Sequence, residues 1–183
     1  WLIFFKPLFE YFTEQYIVGE MMKQLLEDHG FTVNLVADLS TMALRGGMEA
    51  GDIDICADYT GTGWMVHLGH VYEPGVDNNE LYQMVKDEDE GNGFIWLDPI
   101  WNNNTYVLVS WPEFVEENNV ATLSDLATLY QQEEGKIKTF VGFEFSTRPD
   151  GLPALEDFYG FEVDEASLMT GAPGASLMGL ENH

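Results

Sequence analysis

Gly51-Asp52-Ile53-Asp54-Ile55-Cys56-Ala57-Asp58-Tyr59-Thr60-Gly61-Thr62 is an alternating strand that runs directly into an aromatic ring, two hydroxyls and a glycine. Ile53, Ile55 and Ala57 point to one side of such a strand, and Asp52, Asp54 and Asp58 to the other. The strand therefore has a buried face, and its carboxyl end carries Tyr59 and Thr62. In open α/β sheets, that end is where small ligands bind.

Upstream, Ile17, Met21, Leu25 and Val18, Met22, Leu26 recur at four-residue spacing between Thr13, a capping residue, and Gly30. The spacing predicts a helix over 14–29. Phe31, Val33, Leu35 and Ala37 alternate with Thr32 and Asn34 as a strand does, and a weaker helical pattern covers 40–50. With Trp1 to Phe5 as a first strand, the order is strand, helix, strand, helix, strand. Parallel neighbours need long crossovers, so this order implies a parallel sheet with helices on its faces.

Downstream, a turn at Pro74-Gly75 leads to a helix near 77–86, and Asp87-Glu88-Asp89-Glu90-Gly91-Asn92-Gly93 reads as a solvated linker. The lobes are accordingly expected at 1–92 and 93–183. In the second, 94–96, 105–110 and 137–141 read as strands, and 122–130 and 151–159 as helices. Beyond Gly160 the pattern weakens. The second α/β unit is therefore expected to be incomplete at its C-terminal end.

Composition narrows the function. The 183 residues hold 32 acidic and 7 basic side chains, a formal net charge of −25, which makes nucleic acid or an anionic membrane surface a poor partner. A hydrophobic content of 45% is enough for a core. The single cysteine, Cys56, excludes an internal disulfide and a cysteine-based zinc cluster, and its apolar strand makes it a small buried hydrophobe. No apolar run reaches the roughly 18 residues of a membrane span. The chain starts without Met and without a signal-peptide pattern, as a processed product or fragment does.

Six short pieces occur in one order: Phe12-Thr13-Glu14-Gln15, Gly51-Asp52-Ile53-Asp54, Tyr59-Thr60-Gly61-Thr62, Asn103-Asn104-Thr105-Tyr106, Leu123-Ser124-Asp125-Leu126 and Glu144-Phe145-Ser146-Thr147-Arg148-Pro149-Asp150-Gly151. From about residue 12 to 160 the chain thereby resembles the extracytoplasmic substrate-binding proteins of osmoprotectant ABC importers, which capture glycine betaine, choline and carnitine. The resemblance implies a type II periplasmic-binding-protein fold, two α/β lobes with a ligand cleft between them. It also implies a permease as partner, a monomer, no cofactor, and a location outside the cytoplasmic membrane.

The family holds the trimethylammonium head in a cage of aromatic rings. A quaternary ammonium donates no hydrogen bond, so the negative faces of π systems supply the recognition, at about 0.5–2 kcal/mol per ring. Tyr59 and Tyr106 match cage positions. Thr62 and Arg148 match the donors that meet a carboxylate, the Arg through its planar fork, although Asp150 and Glu144 are alternative partners for it. Asn103 and Asn104 fall in the interlobe loop. Two departures stand out: Glu10 replaces a Lys common two residues before the Phe of the Phe-Thr-Glu motif, which would favour a bare cation over a betaine, and Asp58 stands where Glu is usual. Family members also continue for several dozen residues past this end, where further cage aromatics lie.

Other readings remain on the sequence alone. One is a binding protein for another small cationic or zwitterionic ligand; a lesser one is a metal-dependent hydrolase using Asp52, Asp54 and Asp58, which a solvated or helix-capping face explains more simply. His67 and His70 lack an evident third ligand. Trp64, Trp96, Trp101 and Trp111 fit core packing as well as a cage. A transcriptional effector domain would carry a basic DNA-binding segment, and the sequence has none.

Overall fold

The computed structural model describes residues 4–5, 7–9, 13–37, 39–73, 75–100, 102–133, 135–172 and 175, with side chains from residue 14 onward. Glu10 and Trp101, both singled out above, lie outside the described residues, as does the side chain of Thr13. The chain forms two compact units, Trp1–Ile100 and Trp101–His183.

In the first unit, β1 (Phe4–Phe5) and β2 (Pro7–Phe9) lead into α1 (Thr13–Asp28). β3 (Thr32–Val33) and β4 (Val36–Ala37) follow. β1 pairs parallel with β3 and β2 with β4, and one register offset runs through both pairs, so these are interrupted halves of a single strand pair. α2 (Thr41–Glu49) is capped by Ser40, whose hydroxyl accepts from the Ala43 N–H, and it delivers the chain to β5 (Ile55–Cys56). β5 pairs parallel with β2, which leaves β2 central in the order β4-β2-β5. The expected parallel arrangement with helical crossovers is present.

Leu44 and Ile53 form the centre of the core under α2, with Val36, Leu39, Met48 and Cys56 against them. Cys56 is half-buried, and its thiol donates to Met48 Sδ at 3.1 Å. On α1 only one of the two apolar stripes faces inward: Val18, Met22 and Leu26 are half-buried, whereas Ile17, Met21 and Leu25 are exposed.

The chain does not become loop after β5. Tyr59 is the N-cap of a short helix α3 (Thr60–Thr62), which continues as a π-helical turn through Gly63–His67. Gly63 sits where α4 (Asn78–Glu90) packs closest: a Cβ there would stand 2.8 Å from Val85 and 2.9 Å from Trp96. Only glycine allows that approach.

The acidic run is not a solvated linker. Asp77 caps α4 by accepting from the Asn79 and Glu80 N–H groups, and the helix buries Leu81, Tyr82, Val85 and Asp89. These positions share one helix face, so Asp89 belongs to the inner stripe despite its charge. It is 1% exposed and accepts from both terminal nitrogens of Arg45, at 2.8 and 2.7 Å, from Trp96 Nε1 at 2.9 Å and from Asn92 Nδ2 at 3.2 Å. Arg45 also lies 3.8 Å from the Phe94 ring centroid. Tyr82 donates to the Leu97 carbonyl, so residues 94–96, expected as a strand, are part of an irregular segment tied to the first unit.

In the second unit, residues 105–110 carry a strand-like pattern but form no regular element, and Val107, Leu108 and Val109 are exposed. A strand needs a partner backbone, and here β6 (Thr139–Gly142) pairs with β7 (Leu168–Gly171), parallel, with Thr139 opposite Leu168 and Gly142 opposite Gly171. Before β6 come α5 (Pro112–Asn118), ended by Asn119 in the left-handed region, and α6 (Leu123–Gln132), started by a Thr122–Asp125 capping box. Between β6 and β7, α7 (Phe143–Thr147) and α8 (Leu152–Tyr159) make the crossover. The core is Val141, Phe145, Leu152 and Val163, flanked by Tyr130, Leu155, Phe161 and Leu168.

Candidate ligand-binding site

The candidate residues fall into two groups, one on each unit. On the first, Tyr59 is held at three points. Its backbone N–H donates to Asp58 Oδ1 at 2.7 Å, its phenol donates to Glu14 Oε1 at 2.7 Å, and its carbonyl accepts from the Gly63 N–H at 2.8 Å. Glu14 lies in the first turn of α1, so the ring bridges α1 and the start of α3. Both side chains are half-buried.

Asp58 has a second partner, with Oδ2 2.8 Å from His67 Nε2. His67 closes the π-helical turn with its side chain 2% exposed, and its Nδ1 is buried without a hydrogen-bond partner among the described residues. The Asp58–His67 pair thus braces the turn that carries Tyr59. Thr62 is 4% exposed. An open groove in the same unit lies beside Met48, Glu49 and the turn at Asn92–Phe94, and His67 is the residue it shares with the Tyr59 network.

On the second unit, Tyr106 is 46% exposed and leans on Phe145, with ring centroids 4.7 Å apart at 45°. Phe145 belongs to the core, so a partly exposed ring rests on a rigid base. The Arg148 guanidinium lies 5.7 Å from the Tyr106 centroid, within cation–π range. Arg148 is 8% exposed and grips Asp150 with Nε at 2.5 Å and Nη2 at 2.9 Å. Burial pulls its pKa down, but Asp150 and Tyr106 outweigh that and push it up, so the charge is permanent. A Cβ on Gly151 would stand 2.2 Å from the Phe145 carbonyl oxygen and 2.8 Å from Arg148 Cγ, which keeps the turn folded onto the arginine.

The structure therefore brings Tyr106 and Arg148 together, and Tyr59 with Glu14, Asp58 and His67. Asn103 and Asn104 are exposed. The aspartates of the hydrolase reading separate: Asp52 and Asp54 are exposed, while Asp58 turns to His67. Among the described residues, no group of three or more metal-ligating side chains comes together. His70 stacks on Trp64 at 3.8 Å and pairs with Glu88. The Glu14 and His67 contacts are absent from any local pattern, though Glu14 lies in a quoted motif.

Comparison with known proteins settles the family. The pattern described as "OpuAC: Substrate binding domain of ABC-type glycine betaine transport system" matches residues 9–176. The chain belongs to this family. Its relatives include the glycine betaine-binding protein YehZ of Escherichia coli, 36% identical over 164 residues, which are 88% of this chain and 53% of that protein. The apo structure of YehZ superposes with a TM-score of 0.51 at 33% identity, covering 93% of this chain and 61% of that one. A glycine-betaine-binding protein of Pseudomonas aeruginosa is 33% identical over 176 residues, 93% of this chain and 56% of its own length.

For the fold, the crystal structure of a glycine betaine/carnitine/choline ABC transporter protein matches with a TM-score of 0.59 at 20% identity, over 96% of this chain and 64% of that one. The chain has the α/β fold of these substrate-binding proteins. It spans about half the length of the curated relatives it matches. Among the described residues, no helix is long and apolar enough to cross a membrane.

Proposed function

We propose that this chain is part of the extracytoplasmic solute-binding subunit of an ABC importer and takes up quaternary ammonium compatible solutes such as glycine betaine, choline or carnitine. The observation that carries this reading is the family match over 9–176. The subunit binds without turnover, acts as a monomer and docks its ligand-loaded form on a permease. In this reading Tyr59 and Tyr106 are cage rings, and both are held by their surroundings rather than left to rotate, which lowers the ordering cost of binding.

Thr62 and Arg148 are the proposed carboxylate donors, with Asn104 in the loop beside Tyr106. Asp150 already offsets the charge of Arg148, so the arginine contributes less to betaine binding than an unopposed one. The excess of acidic residues acts in the same direction, favouring a cationic head over an anion.

The test is isothermal titration of the full chain with glycine betaine, choline and carnitine in parallel at moderate salt. Saturable binding of at least one is expected. Tyr59→Ala and Tyr106→Ala should each weaken every trimethylammonium ligand by about 2–30-fold, the range that about 0.5–2 kcal/mol per ring spans. A folded full chain that releases no heat with any of the three would sink the reading.

A further inference from the structure

We propose that Glu14 is a specificity-determining residue: its carboxylate, by accepting the Tyr59 phenol proton, makes the Tyr59 ring face more attractive to a cation. The inference rests on the reading of Tyr59 as a cage ring and extends it to a residue that does not itself form the cage.

The geometry is a 2.7 Å hydrogen bond from a phenol to a carboxylate, half-buried, joining the first turn of α1 to the N-cap residue of α3. Hydrogen bonds to an ionised acceptor are about twice as strong as neutral ones, and they draw the proton toward the acceptor. Electron density left on the phenol oxygen is shared with the ring, which deepens the negative potential over its faces. Cation–π attraction depends on that potential, whereas apolar contact with the same ring does not.

Position and electronics are separable here, because the Tyr59 backbone is held independently of the phenol and the Glu14 charge can be removed without removing its acceptor oxygen. The Tyr59 N–H is held by Asp58 Oδ1, and the Tyr59 carbonyl by the Gly63 N–H. Glu14→Gln keeps an acceptor oxygen for the phenol and removes the charge. The ligand pair that reads the difference is a trimethylammonium solute and its tert-butyl isostere, in which carbon replaces nitrogen: the shapes match and only the charge differs.

The experiment is titration of the full chain and its Glu14→Gln, Tyr59→Phe and Tyr59→Ala variants, and of the Glu14→Gln/Tyr59→Phe double variant. The ligands are the tightest-binding of choline, carnitine and glycine betaine and its tert-butyl isostere, the isostere measured by competition. Glu14→Gln should weaken the cation about threefold or more while moving the isostere less than twofold. In the Tyr59→Phe background, where no phenol remains to be polarised, Glu14→Gln should change cation affinity less than twofold.

Equal losses for cation and isostere would mean that Glu14 only positions the ring, and would overturn the proposal. An undiminished loss in the Tyr59→Phe background would mean that the carboxylate acts on the ligand without the ring, and would overturn it too. If Tyr59→Ala leaves cation binding untouched, or if none of the three solutes binds, the cage reading falls first and this inference with it.

Discussion

Replacing Asp89 by Asn should destabilise the first unit by about 3 kcal/mol, at the lower end of the roughly 3–5 kcal/mol seen when one partner of a buried ion pair is removed. Asp89 is 1% exposed and the Arg45 side chain 11%, so the charge left behind is nearly as buried as the one removed. The amide offers one acceptor oxygen to a site that supplies four donors, from Arg45, Trp96 and Asn92, and it turns an NH2 group toward some of them. Glu49 cannot rescue the pair, since it is 58% exposed and such contacts are worth less than about 1 kcal/mol.

With a urea slope of about 1–3 kcal/mol per M, the unfolding midpoint should fall by about 1–3 M. Tryptophan emission is a suitable probe, because the Trp96 indole donates directly to the substituted carboxylate. The matched controls are Asp87→Asn and Glu90→Gln, exposed acids in the same run, which should change stability by less than about 0.5 kcal/mol. If all three substitutions behave alike, the run is a solvated linker after all and the buried-pair argument fails.

The same residue sets a pH dependence. Burial pushes the Asp89 carboxyl up, but the donors on Arg45, Trp96 and Asn92 outweigh it and hold the group below the usual carboxylate range. Its contribution is therefore complete above the unfolded value of about 3.9 and is lost as pH falls through the lower folded value. The stability gap between the parent protein and Asp89→Asn should be constant near neutrality and should close below about pH 4.

Two further outcomes follow from close contacts. Gly63→Ala should cost about 1–3 kcal/mol, because its Cβ would press on Val85 and Trp96, both packed on the α4 side; thermal melts showing no change would mean that α4 yields easily. Arg148→Ala should weaken glycine betaine more than choline in titration, and should also lower the melting temperature, since Asp150 loses its bidentate partner and Tyr106 its cation. Equal loss for both solutes would leave the arginine a structural role only.

What the chain declares locally came through in the structure. Gly30 and Ser40 bracket elements close to where the periodicity puts them, and β6 and α8 begin within two residues of expectation. These features depend on neighbours in sequence: a cap three residues from the N–H it serves, or an apolar face repeated each turn. The alternation of strand and helix also sufficed for a parallel sheet, because connection length restricts the topology. The ordered motifs were enough for the family.

The rest depended on residues far apart. Asp89 looked solvated because its partner, Arg45, lies 44 residues upstream, and only the packing of α4 brings the two together. Glu14 meets Tyr59 across 45 residues. Residues 105–110 have a strand's composition without a strand's structure, since side-chain alternation does not supply the neighbouring backbone that a ladder requires. The sequence by itself determined the alternation of strands and helices in the first unit, its parallel pairing and the family. Tertiary structure alone decided which charges are buried and which partner each acquires, because the cost of burying a charge is offset only by donors that folding delivers from elsewhere in the chain.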